Sequence, residues 1–212
     1  MLPCPFILPA ALLLDILAGD PPNRFHPVCL IGWCARRAEA LARRLWGGTF
    51  TAGTAAALGT CAAAWFACAV FCLPFSVFPS PWISWIPAVL VIYICMAPRG
   101  LAEHALRVAN ALRSGNDGEA RHAVSMIVGR DTERLDRHGM ARAAIESVAE
   151  NLTDGVFSTL FWTTAGCLAG GASGAAFAAL THRVFNILDA MWGKKNDRYR
   201  RFGTFAARTD DA

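Results

Sequence analysis

Acidic side chains recur at helical spacing between residues 146 and 154. Glu146, Glu150 and Asp154 follow one another at intervals of four, with Asn151 beside them. Residues four apart lie on one face of an α-helix, so the three carboxylates form a single stripe. A stripe of this kind suits Mg²⁺ binding or general base catalysis. The alternative is a solvated ion-pair face, with Arg142 supplying the counter-charge one turn before Glu146.

A glycine and an arginine occur together in the segment Ile127-Val128-Gly129-Arg130-Asp131-Thr132. Glycine lets the backbone approach a ligand closely. The guanidinium fork of Arg130 matches the oxygens of phosphate or carboxylate. Asp131 and Thr132 either bind Mg²⁺ or cap the next helix, and on this segment alone capping is the stronger interpretation.

Polar residues also accompany the first apolar segment. Asp15 lies inside it, Asp20 precedes a proline, and His26 precedes another. A carboxylate at the bilayer centre costs about 2.5–3.5 kcal/mol on insertion scales and less near the interface, so Asp15 is a functional candidate. Alternatively, Asp20 turns the backbone and His26 packs within a loop, and the spacing leaves both interpretations open.

A fourth group lies toward the C-terminal end. Lysines beside a glycine are able to hold phosphates, and paired aspartates are able to hold a metal ion. The alternative is a basic anchor at residues 194–201 that contacts lipid headgroups, and composition does not separate the two. The whole chain contains no Walker A loop and no GxGxxG, HExxH or GxSxG motif. The residues of this group are Asn186, Asp189, Lys194, Lys195, Tyr199, Arg208, Asp210 and Asp211.

A strongly apolar chain must position these groups. It is 55% hydrophobic and 17% charged, whereas soluble domains carry about 25% charged residues. Residues 45–98 contain no charged residue and no histidine, and one membrane crossing takes about 20 apolar residues. The sequence therefore predicts an all-α, polytopic helical membrane protein in which amphipathic and cytoplasmic helices connect the membrane segments.

We expect a single domain, 1–212, with membrane segments near 5–18, 52–73, 82–97 and 155–181. A cytoplasmic segment covers 99–154, and an amphipathic interfacial helix lies within 19–44. The first segment carries Asp15 and has no Lys or Arg before it, which argues against a cleaved signal peptide.

Lys and Arg are distributed unevenly around these segments. Five precede the second segment, eight follow the third and seven follow the fourth, while the second and third have none between them. Basic residues favour the cytoplasmic side. If segment 155–181 is a re-entrant hairpin, all three polar regions lie on the cytoplasmic side. The chain has glycines at which such a hairpin could bend, namely Gly166, Gly170, Gly171 and Gly174. A single glycine-rich span is the alternative.

Composition also excludes some classes of function. The net charge of +4 arises from almost equal numbers of acids and bases, and no Lys/Arg tract alternates with aromatic residues. We therefore do not expect nucleic-acid binding. The eight cysteines form no CxxC pair, and four lie in apolar runs, which is typical of small buried residues.

Taken in order, the polar motifs resemble those of the adenosylcobinamide-phosphate synthase family, which acts in cobalamin biosynthesis. The resemblance covers nearly the whole chain and preserves the order of the motifs. It rests on Leu14-Asp15-x4-Asp20-Pro21, His26-Pro27-Val28-x2-Ile31-Gly32, Ile127-Val128-Gly129-Arg130-Asp131-Thr132, Glu146-x2-Val148-Ala149-Glu150-Asn151-x2-Asp154-Gly155, and Asn186, Leu188, Asp189, Met191 and Gly193.

The resemblance implies a multi-pass protein of the bacterial cytoplasmic membrane that uses ATP and Mg²⁺ to form an amide. A propionate of adenosylcobyric acid, a corrinoid, would be activated as an acyl phosphate and joined to aminopropanol or its phosphate. It also implies roles for residues of this chain. Catalytic roles fall to Glu146, Glu150, Asp154 and Asp189; substrate and phosphate binding to Asp20, His26, Arg130, Asn151, Asn186, Lys195 and Arg208; and Mg²⁺ binding to Asp131, Asp210 and Asp211.

The chain departs from the family pattern in two places. Lys194 stands where members usually have an aromatic residue, and members continue well beyond Asp211 with further polar motifs and membrane helices. We therefore expect about the N-terminal two-thirds of the family's length, with a further C-terminal portion or a second copy of the chain as possible partners besides the lipid bilayer.

Three other functions stay open at this point. They are a non-catalytic regulatory or sensory membrane protein of a related branch, an inactive truncated fragment, and a transporter component. The transporter is disfavoured because the polar residues lie beside the membrane segments and not within them.

Overall fold

The computed structural model describes residues 6–21, 26–78, 80–129 and 131–211. Within these ranges every regular element is a helix and no strand occurs, which confirms the all-α fold class. The helices are α1 (Ile7–Ala18), α2 (Pro27–Trp46), α3 (Phe50–Ser76), α4 (Pro81–Cys95), α5 (Pro98–Arg113), α6 (Asp117–Ser125), α7 (Arg137–Leu152), a π-helical turn (Thr153–Phe157), α8 (Ser158–Trp192) and α9 (Thr204–Asp210).

Among the described residues, three helical stretches are long and apolar enough to cross a membrane: Phe50–Ser76, Trp85–Arg113 and Arg137–Trp192. The apolar helix Ile7–Ala18 is shorter. With 27 residues, α3 is about 40 Å long, which exceeds the hydrocarbon thickness of about 30 Å. The chain is thus a membrane protein. The membrane segment predicted near 52–73 begins two residues earlier and continues through Pro74 to Ser76.

The chain has two hydrophobic cores. The larger one is formed mainly by α1, α2, α3, α4, α8 and α9. The smaller one lies in the polar part of the chain, where α5, α6 and α7 pack around Val108, Val124 and Met140. Side-chain caps begin two of these helices: Asn116 Oδ1 accepts from the backbone N–H of Glu119 at 3.1 Å, and Asp136 caps α7 in the same way.

The chain reverses direction inside α8. Gly170 and Gly171 have non-helical dihedral angles, and Gly171 has a positive φ of 63°, which glycine adopts without strain. A Cβ atom on Gly166 would lie 2.3 Å from the carbonyl oxygen of Gly174, whereas eight residues of continuous helix would separate them by about 12 Å. Two arms therefore lie side by side, as a re-entrant segment requires; its placement in the membrane stays a prediction.

A reciprocal contact joins α1 to α5. The Oδ2 atom of buried Asp15 accepts a hydrogen bond from the backbone N–H of Arg99 at 2.9 Å, in the first turn of α5. The Arg99 guanidinium donates to the carbonyl oxygens of Ile16 (3.0 Å) and Leu17 (3.1 Å) at the end of α1. Each helix thus satisfies free backbone groups of the other, which explains why α1 retains a carboxylate.

Glu39 of α2 holds the segment that follows α8. Its carboxylate is buried and accepts from Arg43 Nε (2.8 Å), Arg198 Nη2 (3.0 Å), Trp192 Nε1 (3.1 Å) and the Tyr199 hydroxyl (3.4 Å). Burial alone would raise the pKa of Glu39, but hydrogen bonds from the two arginines outweigh it and hold the pKa below its usual value. The interaction fixes the direction in which the chain leaves α8.

Replacing Gly166 by alanine should destabilise the α8 hairpin. The new methyl group would overlap Gly174 and Ala178 of the opposite arm, and overpacking of this kind costs about 1–3 kcal/mol. Thermal unfolding in detergent should show a clear fall in the melting temperature. Gly59→Ala is the matched control, because a Cβ there meets nothing within 4 Å. Equal effects of the two variants would contradict the close approach of the arms.

Glu39→Gln should destabilise the fold by about 1–3 kcal/mol, because buried Trp192 and its neighbours lose a charged acceptor. Glu103→Gln is the control, since Glu103 accepts from Arg99 at the same 2.8 Å in an i,i+4 pair but is half exposed. The pKa of Glu39 is lowered on folding, so its contribution is complete above its unfolded pKa near 4.5 and disappears as pH falls through the folded value. The difference between wild type and Glu39→Gln in thermal unfolding should therefore shrink below pH 4.5.

Candidate active site

A polar cleft of about 450 Å³ opens between α7, the π-helical turn, the second arm of α8 and the loop residues 127–129. Three of the four groups of residues that the sequence singled out meet there. Its lining comprises Ile127, Val128, Gly129, Ala143, Glu146, Ser147, Glu150, Asn151, Asp154, Asn186, Asp189 and Ala190.

The acidic stripe of α7 reaches the cleft through a π-helical turn. Glu146 and Glu150 are on α7, whereas Asp154 lies within the turn Thr153–Phe157, where one extra residue is accommodated in the helix. Turns of this kind occur frequently at functional sites. Glu146 also accepts from Arg142 Nε at 2.8 Å in an exposed i,i+4 pair, so the ion pair considered from the sequence is present as well.

Hydrogen bonds fix the loop beside the stripe. The Ser147 hydroxyl donates to the carbonyl oxygen of Ile127 at 2.5 Å, and Asn151 Nδ2 donates to the carbonyl oxygen of Ser147 at 2.8 Å. Arg121 donates to the carbonyl oxygens of Thr132 and Leu135 further along the loop. Residues 127–129 are thereby held against α7, where they line the cleft.

The reversal of α8 supplies the opposite wall. It brings Asn186 and Asp189 of the second arm to the acids of α7. His182 Nε2 donates to the carbonyl oxygen of Asp154 at 2.8 Å, 28 residues away along the chain. This bond ties the second arm of α8 to the π-helical turn.

α9 adds a further acid at the edge of the cleft. The Oδ1 atom of Asp210 is buried without a hydrogen-bond partner among the described residues. Burial, together with the charges of Asp189 and Asp154, raises the pKa of Asp210 to about 6. Asp211 is close enough to Asp189 and Asp154 to interact with them electrostatically.

This donor set fits Mg²⁺. Carboxylate and amide oxygens are its preferred ligands, and it is commonly held by one or two carboxylates together with substrate phosphates and water. The unpaired Oδ1 of Asp210 is such an oxygen. In the described parts of the chain, no three Asp, Glu, His or Cys side chains are placed to hold one ion between them.

Asp20 and His26 do not line the cleft but lie at the junction of α1, α2 and α5. His26 Nδ1 accepts from the backbone N–H of Val28 at 3.2 Å and so caps α2, while its Nε2 atom is 3.8 Å from Asp20 Oδ1. The Asp20 carboxylate lies against Gly100, where a Cβ would be 2.6 Å from Oδ2. Their predicted role in substrate binding stays a prediction.

Asp131, Lys195 and Arg208 are also outside the lining of the cleft. The Asp131 carboxylate accepts from the backbone N–H of Glu133 at 2.9 Å and so forms a turn. The helix cap considered for Asp131 or Thr132 is wrong, because Asp136 caps α7 instead. Lys195 and Arg208 are exposed. Arg130 lies outside the described residues, so its predicted contact with phosphate stays a prediction.

A second cavity of about 290 Å³ lies between α2, α3 and α4 and is lined almost wholly by apolar side chains. It contains no charged residue and has Leu30, Ala64 and Leu90 among its lining. Acid–base or phosphate chemistry has no suitable group there, so the polar cleft is the candidate active site.

Sequence reasoning missed Ser147, His182 and Glu39. Ser147 precedes Asn151 by four residues and Asp154 by seven, so helical spacing placed it on the face that lines the cleft. His182 gave no such signal, because only the reversal of α8 brings it to Asp154. Glu39 lies on the predicted amphipathic helix within 19–44, where a charged residue belongs on the polar side. It is buried because four donors converge on it.

Comparison with known proteins relates the chain to one family. The model of the CobD/Cbib protein family matches residues 8–212. The "Cobalamin biosynthesis protein CobD" of Stutzerimonas stutzeri is 42% identical over 206 residues, which are 95% of this chain and 62% of that protein. Proteins of the same name from Chromobacterium violaceum (41%; 96% and 62%) and Desulfotalea psychrophila (36%; 95% and 63%) are similar to it. The chain thus spans 62–63% of the length of these relatives. No solved structure matches the chain.

Asp210→Asn should stabilise the protein at neutral pH when divalent metal is chelated. Folding raises the pKa of Asp210 from 3.8 to about 6, so its charge destabilises the fold fully above pH 6 and not below pH 3.8. The gain in melting temperature should therefore grow between pH 4 and pH 6 and then level off. Asp117→Asn is the control, because Asp117 is half exposed in its ion pair with Arg137. A pH-independent effect of Asp210→Asn would contradict the raised pKa.

Proposed function

The chain belongs to the CobD/Cbib protein family, and from this premise we propose that it takes part in cobalamin biosynthesis as an amide-forming ligase. The reaction joins a propionate of adenosylcobyric acid to aminopropanol or its phosphate with consumption of ATP. The product is adenosylcobinamide or adenosylcobinamide phosphate.

One observation carries this proposal: the polar cleft collects carboxylates from α7, the π-helical turn and α8 beside the loop 127–129, which Ser147 holds in place. ATP-dependent ligation needs oxygen ligands for Mg²⁺, a group that accepts a proton from an amine, and donors for phosphate oxygens. The cleft provides the first two, and the loop that contains Gly129 and Arg130 is suited to the third. A protein that only scaffolds others has no physical reason to hold like charges together.

The reaction divides into two steps. A propionate oxygen attacks the terminal phosphorus of ATP, ADP leaves, and a mixed acyl phosphate forms. The amine nitrogen then attacks the carbonyl carbon, phosphate leaves with the C–O bond electrons, and the nitrogen proton passes to a carboxylate of the cleft. Glu150, Asp154 and Asp189 line the space where this transfer would occur.

Residues of the chain have separate tasks in this scheme. Asp210 and Asp211 would hold Mg²⁺, which neutralises phosphate charge when bound. Asn151 and Asn186 would orient the acids and substrate, because hydrogen bonds with Ser147 and Arg183 hold the two amides in place. Ser147 keeps the phosphate loop in place through Ile127.

The site would face the cytoplasm of a bacterium, at its inner membrane. ATP is available there, and the basic residues cluster in the polar regions that contain the cleft. A multi-pass arrangement with a re-entrant α8 would put the acids of α7 and α8 on this one side. Because the relatives are longer, complete activity is proposed for the chain together with a C-terminal portion like theirs.

The proposal is tested with membranes that contain the chain, alone and with the C-terminal portion of a relative supplied. Mass spectrometry should detect ATP-dependent conversion of adenosylcobyric acid and aminopropanol, or its phosphate, to the amide. Glu150→Gln and Asp189→Asn should each lower the rate about 10²-fold or more, because a general base typically contributes 10²–10⁴-fold.

Asp117→Asn is the matched control, because this exposed acid of α6 is outside the cleft and should leave the rate unchanged. Absence of amide in the supplemented membranes, with the protein shown to be folded, would overturn the ligase proposal. Full activity of both cleft variants would remove the cleft as its site.

A further inference from the structure

The charged lining of the cleft is wholly acidic within the described ranges. It consists of Glu146, Glu150, Asp154 and Asp189. The reaction proposed above, on which this inference rests, handles phosphates and a substrate carboxylate. Four carboxylates would repel these oxyanions. Binding them therefore requires a positively charged side chain of the protein in addition to the metal ion.

Arg183 contacts the lining of the cleft without pairing with one of its acids, unlike Arg142, which is bound to Glu146. It lies on the second arm of α8, one turn before Asn186, and its Nη1 atom donates to Asn186 Oδ1 at 3.3 Å. Its Nε atom is buried and has no hydrogen-bond partner in the described residues. No carboxylate of the described chain forms an ion pair with it.

An arginine in this position is unusual. A guanidinium beside an apolar helical segment loses hydration, and such residues normally pair with a carboxylate or mark a functional site. Asn186 lines the cleft and accepts from Arg183, so Arg183 is joined to the cleft through a neutral amide and not through a carboxylate. Within the described residues its Nε atom has no acceptor, so most of the five N–H donors of Arg183 stay available.

We propose that Arg183 binds an oxyanion, a carboxylate or phosphate group of a soluble substrate, at the end of the cleft nearest the apolar part of α8. The planar guanidinium fork matches either group with two parallel hydrogen bonds. A phospholipid headgroup carries similar chemistry. The link through Asn186 favours the soluble substrate, because it connects Arg183 to the cleft rather than to a lipid-facing surface.

The proposal is tested by binding measurements, which do not require turnover. The full chain in detergent is titrated separately with ATP, adenosylcobyric acid and aminopropanol phosphate. Arg183→Gln should weaken binding of at least one probe about tenfold or more, because a charge-assisted pair is lost. Arg183→Lys keeps the charge but lacks the planar guanidinium, so it should weaken binding of the same probe less. This variant also tests the inference if Arg183→Gln does not fold. Arg107→Gln, an exposed arginine of α5, is the control and should bind as wild type does.

The probe that is weakened identifies the source of the oxyanion: ATP or aminopropanol phosphate indicates a phosphate, and adenosylcobyric acid indicates the carboxylate. Wild-type affinity of both Arg183 variants for all three probes would overturn the inference, as would a loss confined to phospholipid retained in native mass spectrometry. If binding depends on Arg183 but no amide forms, this inference stands and the ligase proposal is contradicted. If amide forms and both Arg183 variants bind as wild type does, the ligase proposal stands and this inference is overturned.

Discussion

The close approach of the two arms of α8 is the contact on which the site depends. Gly166 and Gly174 meet backbone to backbone, and the positive φ of Gly171 turns the chain between them. Without this reversal the second arm would extend away from α7. Asn186 and Asp189 would then be separated from the acids of α7 by the length of a continuous helix, and His182 would not reach the π-helical turn. Glycines in an apolar segment thus determine a polar site that lies outside it.

Bringing several carboxylates together costs free energy, and the surrounding structure offsets that cost. Charge repulsion and burial disfavour the ionised form of Asp210, as its raised pKa shows. Neutral contacts keep the acids in position: Ser147 holds the loop, and His182 holds the turn that carries Asp154. Outside the cleft, Glu39 accepts hydrogen bonds from Arg43, Trp192 and Arg198, and so holds the segment that connects α8 to α9. Contacts of this kind raise the free energy of unfolding and offset the repulsion among the acids.

Much of this arrangement could be predicted from the sequence, because it follows from local rules. The uncharged stretch indicated membrane helices, and the spacing of Glu146, Glu150 and Asp154 indicated one helical face, which lines the cleft. The glycine-rich stretch indicated where α8 bends. Contacts between distant parts of the chain were not accessible in this way. Spacing gave no sign that Asp15 would bind the backbone of α5 or that Glu39 would be buried, because each role depends on a partner supplied by tertiary packing.

The cleft and its surroundings differ in charge, and the difference has a chemical consequence. Acids dominate the walls formed by α7 and α8, while Arg183 lies outside the lining and contacts it through Asn186. An ion pair between Arg183 and one of these acids would neutralise both groups and leave neither free for a ligand. No such pair occurs among the described residues, and the partner of Arg183 in the lining is a neutral amide. The acids therefore stay available to a cation and the guanidinium to an anion. The proposed reaction needs both, because phosphate charge must be stabilised and a proton must be accepted from an amine.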